Sequence, residues 1–126
     1  MRNYFFRSIN PLDEWNLFSK KEGNVTSYYG HSKMKIGDIV LLCIGKQDDS
    51  LKDGVYGIGK VLGKVYKEDG RYRVKIKLIK KAKRNEPFLD GATISYYSPN
   101  QKRGIRSCEM IYYHKGELEK MILDLL

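Results

Sequence analysis

The chain has 126 residues, enough for one domain with a real hydrophobic core and no need of disulfide or metal staples. Twenty-four Lys and Arg stand against fifteen Asp and Glu, a formal charge of +9, which favours a polyanionic partner because each neutralised phosphate releases counterions. No apolar run approaches the roughly 18 residues of a membrane-crossing helix, and Asn10-Pro11 with the acids after it interrupts the N-terminus too early for a secretory signal, so the expectation is a cytoplasmic protein with no membrane role.

In chain order, Tyr4 to Ile9 reads as a first strand. Asn10 is suited to cap a following helix, Pro11 stands at the favoured first position, and Asp13 and Glu14 suit the positive helix end. Leu12, Trp15 and Phe18 recur at three-residue spacing and give that helix one apolar stripe, with Trp15 as a core anchor and Gly23 as the stop. Asn24 to Met34 shows no clear period and reads as a loop or a short helical turn carrying the adjacent pair Tyr28 and Tyr29. The stretch around which the chain is organised follows. Ile36-Gly37-Asp38 is a tight turn, with Asp38 as its cap. It opens the run Ile39 to Ile44, apolar on both faces as in a strand covered on both sides. A polar connection, Gly45 to Asp53, leads to a second strand-like run, Gly54 to Val61, whose glycines mark close approach or a bend.

Glu68-Asp69-Gly70 reads as a hairpin turn. Beyond it Tyr72, Val74, Ile76 and Leu78 alternate with Arg73, Lys75 and Lys77, a half-buried strand with one basic face. Lys80 to Arg84 carries the charge into a loop, where it is either a nucleic-acid patch or a polar connector. Ala92 to Tyr97 reads as a short strand bearing Tyr96 and Tyr97, Ser98 to Gly104 as a loop, and Ile105 to Tyr113 as a last strand. Leu118, Met121, Ile122 and Leu125 put an apolar stripe on a closing helix from Lys115 to Leu126. With no repeat or linker, residues 1–126 read as a single domain.

The motifs of chemistry are weak. Gly54 to Lys60 matches the glycines and lysine of a phosphate-binding loop, but Val61 replaces the magnesium-holding hydroxyl and the run continues as strand rather than helix. His31, His114, Cys43 and Cys108 lack metal-ligand spacing, and the two cysteines read as free thiols. Neither histidine stands beside a nucleophile motif. A cofactor-free, metal-free, non-enzymatic protein is expected.

Lys35-x-Gly37-Asp38, the hydrophobic run, and the later Gly54-Val55-Tyr56-Gly57-Ile58-Gly59-Lys60-Val61 resemble the PUA-like superfamily, and within it the EVE and YTH branches. The opening Tyr4 to Asn10 before an acidic helix start is similar to the same branches. The resemblance implies an α+β fold, a curved, mostly antiparallel five- to six-stranded sheet closing toward a barrel with two or three flanking helices. It also implies a nucleic-acid reader that flips a base, methylated in many relatives, into an aromatic pocket. Such modules serve as DNA-targeting parts of prokaryotic modification-dependent restriction systems of the McrBC type, fused to or associated with a motor or nuclease.

On that basis the base pocket is expected from Tyr28, Tyr29 and one of Tyr96 or Tyr97, with Ser8 and Asn10 as polar contacts to the base edge. The competing reading of the first pair is one tyrosine packed inward and the other merely exposed. Lys33, Lys35, Lys46, Arg71, Lys102, Arg103 and Arg106 are the candidates for backbone phosphates. Modified DNA is favoured as the partner. The alternatives are a reader of structured or modified RNA, and a small enzyme or protein-interaction module whose charge is incidental.

Overall fold

The computed structural model of the chain describes residues 2–9, 17–45, 51–98 and 108–126. Its strands are β1 (Tyr4–Ile9), β2 (Val25–Tyr29), β3 (Ile39–Ile44), β4 (Gly54–Val61), β5 (Tyr66–Glu68), β6 (Arg71–Lys81), β7 (Leu89–Asp90) and β8 (Cys108–Met110). Two helices, α1 (Gly91–Tyr97) and α2 (Lys115–Leu125), and a 3-10 turn at Leu17–Ser19 complete the described elements. All eight strands join one sheet in the order β2-β6-β4-β3-β1-β8, with β5 added to β6 and β7 to β4. The sheet is mixed: β1 runs parallel to β3, from Tyr4 beside Ile39 to Ile9 beside Ile44, while the other pairings are antiparallel. It curls into a half-barrel, an α+β barrel-like architecture.

The curl follows from where the apolar side chains go. One cluster joins Phe5 and Ile9 of β1, Val40 and Leu42 of β3, Val74 and Ile76 of β6 and Tyr28 of β2. Strands at opposite ends of the hydrogen-bonded path thus share one core, and only a rolled sheet allows that. A second cluster lies on the other face of β1, β3 and β4, where Tyr4, Phe6, Leu41 and Ile58 meet Tyr97 of α1 and Leu118 and Ile122 of α2. β3 is therefore covered on both sides, and all six of its residues are buried, as its uninterrupted apolar run requires. The Tyr4 hydroxyl, pushed up to about 12 by burial and by its hydrogen bond to Glu119, fastens α2 to the sheet.

Local chemistry explains the joints. Asp38, buried, accepts from the amides of Lys35 (2.8 Å) and Asn3 (3.0 Å), so one carboxylate closes the turn before β3 and aligns it with β1. Asp69 and Gly70 both take positive φ, 52° and 76°, in the two-residue turn between β5 and β6, as a tight hairpin demands. At Gly59 the sheet shifts register, and a Cβ there would run into Cγ2 of Ile76.

Three expectations need correction. Asn24 to Met34 is not a loop throughout, since Val25–Tyr29 forms β2. β2 showed no period because Tyr28 alone of its five residues is buried. Ala92 to Tyr97 is not a strand but most of α1. Its β-branched and aromatic residues suit a strand, yet Asp90 caps the helix, accepting from the Thr93 amide (2.8 Å) and hydroxyl (2.7 Å). Among the described residues the sheet also has eight strands rather than five or six, the unexpected ones being β2 and the short β5 and β7, while β8 falls within the expected last strand. The expected helix at Asn10, with Trp15, lies outside the described residues apart from the turn Leu17–Ser19.

Gly59→Ala should destabilise the fold by about 1–3 kcal/mol, because the added methyl overpacks against Ile76 and neighbouring backbone. Gly63→Ala, where an added Cβ meets nothing within 4 Å, should show no such loss in the same urea denaturation series.

Candidate nucleic-acid interface

The described helices cover the outer face of β1, β3 and β4 and the last residues of β6, and leave that of β2, β5 and the rest of β6 without a helix. On β6, Val74, Ile76 and Leu78 point into the barrel, so Arg73, Lys75 and Lys77 point out, with Arg71 in the same phase. The register sets Tyr29 of β2 and Tyr66 of β5 on either side of Arg73, and Ser27 of β2 beside Lys75. The contacts agree. Arg73 donates through Nε to Ser27 Oγ (3.1 Å) and through Nη2 to the Ser27 carbonyl (3.1 Å). The Tyr66 hydroxyl reaches across β6 to the same Ser27 Oγ at 2.9 Å. Glu68 Oε2 lies 3.4 Å from Arg73 Nε.

Tyr29 is the centre of this face. The residue is 37 % exposed, and its ring has the guanidinium of Arg73 at 4.7 Å, that of Arg71 at 5.3 Å and that of Arg7 at 5.8 Å from its centroid, all within the range of cation–π attraction. Tyr66 is 40 % exposed, and at the hairpin end Lys67 stands 5.2 Å over the Tyr72 ring. Among the described residues facing outward here, four carry positive charge (Arg71, Arg73, Lys75, Lys77) and one, Glu68, carries negative charge. Two exposed rings and four cations on an open sheet surface can stack on bases and bind phosphates together.

The expected pocket residues are not brought to one place. Tyr28 and Tyr29 are successive strand residues and point to opposite faces. Tyr28 is 2 % exposed inside the barrel, where burial pushes its hydroxyl above the ordinary value, and Tyr29 is on the surface. Tyr97 is buried in the other core cluster beneath the helices. Tyr96 is stacked on His114 at 3.9 Å, with its hydroxyl donating to Glu117 at 2.8 Å. A pocket of Tyr28, Tyr29 and one of Tyr96 or Tyr97 is thus not assembled here, and Tyr29 alone of them sits on the basic face. Ser8 is half-buried, with its carbonyl bound by Arg7 Nη1 at 2.7 Å.

Of the phosphate candidates, Arg71 is on the face, and Lys33 and Lys35 are exposed on the connection between β2 and β3. Asn10, Lys46, Lys102, Arg103 and Arg106 lie outside the described residues. The basic stretch Lys80 to Arg84 is partly structural. Lys80 Nζ donates to the Leu125 carbonyl at the end of α2, and Lys81 Nζ donates to the carbonyls of Phe18 (3.1 Å) and Lys20 (2.5 Å). Sequence reasoning did not single out Tyr66 and Ser27, and it saw Arg73 only as part of the basic strand face. The alternation of β6 already displayed Arg73, but only the pairing of β2 and β5 with β6 shows which tyrosines flank it. Among the described residues no group of three His, Cys, Asp or Glu side chains is placed to hold a metal ion.

His31 lies at the end of β2, its ring 5.5 Å from that of Phe5 and its Nδ1 accepting the Lys33 amide at 3.1 Å. Burial, and then the charge of Lys33, lower its pKa from the ordinary 6.5. The unfolded chain therefore takes up this proton first as pH falls, so the contribution of His31 is complete above about 6.5 and declines below it. Thermal melting of the parent should fall more between pH 7 and pH 5.5 than that of His31→Gln, and equal slopes in the two proteins would contradict this assignment.

No protein-family model matches this chain, and no curated protein matches it at a significant level.

Proposed function

We propose that this protein is a nucleic-acid reader of the PUA-like kind, binding through the outer face of β2, β6 and β5. The observation that carries the reading is the exposed Tyr29 ring with three guanidiniums within 6 Å of it, on a face where cations outnumber the one acid four to one. Cations held this close repel one another, and a polyanion relieves that repulsion while releasing its own counterions. An exposed ring among them adds a stacking surface that a purely ionic partner would not use.

The barrel-like sheet and the residues from Lys35 to Val61 support the PUA-like part of the proposal. The preferred target is DNA with a modified base, and the setting is a restriction system. Both rest on the resemblance to the EVE and YTH branches. The base then stacks on Tyr29 rather than in a cage of Tyr28, Tyr29 and one of Tyr96 or Tyr97, and no catalytic step belongs to this chain.

Fluorescence anisotropy at two salt concentrations tests the reading, with matched duplexes carrying no modification, N6-methyladenine, 5-methylcytosine or 5-hydroxymethylcytosine, and one RNA. Affinity should fall steeply with salt, by a slope of about −0.9 per phosphate contact, and Arg71→Gln and Lys75→Gln should each flatten that slope by about one. A modified duplex that stays preferred at the higher salt supports a modified-base reader, whereas equal, salt-fragile binding to all of them removes that part. Preference for the RNA moves the target class. Binding that ignores both salt and these substitutions rejects the face altogether.

A further inference from the structure

We infer that the ligand of this face is an unpaired strand, one base lying on Tyr29 and another on Tyr66, with the phosphates running along Arg71, Arg73 and Lys75. The inference rests on the nucleic-acid reading and deepens it by naming the substrate class. Three observations carry it.

The two rings are separated by one strand. Tyr29 and Tyr66 both pair with Arg73, from opposite sides of β6. Two inter-strand spacings place their backbones roughly 10 Å apart. The rings therefore stand beside one another on the sheet, with Tyr66 leaning across β6 toward Ser27, and not one above the other as the bases of a stacked duplex do at a rise of about 3.4 Å. They suit bases splayed along an extended strand.

The rings also lie on an open sheet surface, and a ring in that position reaches only the flat face of a base. In a duplex both faces of every internal base are covered by its neighbours. Unpaired bases offer those faces without the cost of extrusion that a duplex imposes.

Finally, the platform is held in place before any ligand arrives. Ser27 Oγ meets both the Tyr66 hydroxyl (2.9 Å) and Arg73 Nε (3.1 Å), and Arg73 is further fixed by the Ser27 carbonyl and by Glu68. Tyr29 has the guanidiniums of Arg73 and Arg71 at 4.7 and 5.3 Å from its ring centroid. Little side-chain freedom remains to be lost on binding, which favours stacking that tolerates any base.

The test is a titration of the full chain with a labelled single strand and with the duplex of the same sequence, by anisotropy. Parent, Tyr29→Leu, Tyr66→Leu, Tyr29→Phe and Arg71→Gln are compared, each first checked for an unchanged thermal melt. The parent should bind the single strand at least tenfold more tightly than the duplex. Tyr29→Leu and Tyr66→Leu should each weaken single-strand binding about five- to 150-fold with the salt slope unchanged. Tyr29→Phe, which keeps the ring, should bind as the parent does. Equal or tighter binding to the duplex, or leucine variants that bind as the parent while Arg71→Gln still weakens both ligands, overturns the stacking inference and leaves the nucleic-acid reading standing. No salt-dependent binding to either ligand overturns both.

Discussion

The guanidinium of Arg7 is almost wholly withdrawn from water, yet it joins strands that are not neighbours in the sheet. Arg7 is 7 % exposed, on β1, and its Nε donates to the Tyr29 carbonyl at the end of β2 at 2.9 Å. Along the hydrogen-bonded path β6, β4 and β3 lie between these two strands. The bond spans the mouth of the half-barrel and ties β1 to the end of β2 across it. Burying a cation is costly unless its donors are met, and here the carbonyls of Tyr29 and Ser8 meet Nε and Nη1 while the Tyr29 ring lies 5.8 Å away. The same side chain therefore braces the rolled sheet and places a positive charge beside the exposed tyrosine.

That closure divides the sheet into regions with different duties. Its inner face holds the larger core, and the outer face of β1, β3 and β4 takes the two helices. Among the described residues, what remains open is the outer face of β2, β5 and most of β6, where Ser, Lys and Arg stand among the strands instead of a second apolar layer. A sheet face that no helix covers needs polar side chains for solubility alone. It does not need two exposed tyrosines bracketing an arginine that is fixed by a serine and a glutamate. That excess over the needs of solubility gives the face its functional interest.

The distribution of charge makes the same distinction. A net +9 describes the whole chain, but the cations differ in what they do. The Lys80 and Lys81 ammonium groups satisfy backbone carbonyls at the end of α2 and near the 3-10 turn, work that any folded chain requires. Arg71, Lys75 and Lys77 instead project from β6 in one row, where electrostatic attraction to a polyanion adds along the strand.

The sequence by itself determined β1, β3, β4, β6 and α2, because each carries a periodic or continuous apolar signal that local side-chain geometry creates. It also displayed the hairpin at Asp69-Gly70, the cap at Asp38 and the basic face of β6, all consequences of residues close in the chain. It could not reveal β2, whose five residues bury one side chain, nor prefer helix over strand at Gly91–Tyr97, where a single capping carboxylate outweighs strand-forming residues. Of the candidate site, Arg71 and Tyr29 were legible as residues, but their meeting was not. Tyr29, Arg73 and Tyr66 lie on three separate strands, and only the order in which those strands pair brings them together. Likewise, adjacent Tyr28 and Tyr29 look equivalent in sequence. The pleat sends one into the core and the other to the surface, and which goes where was decided by the register of β2 on β6.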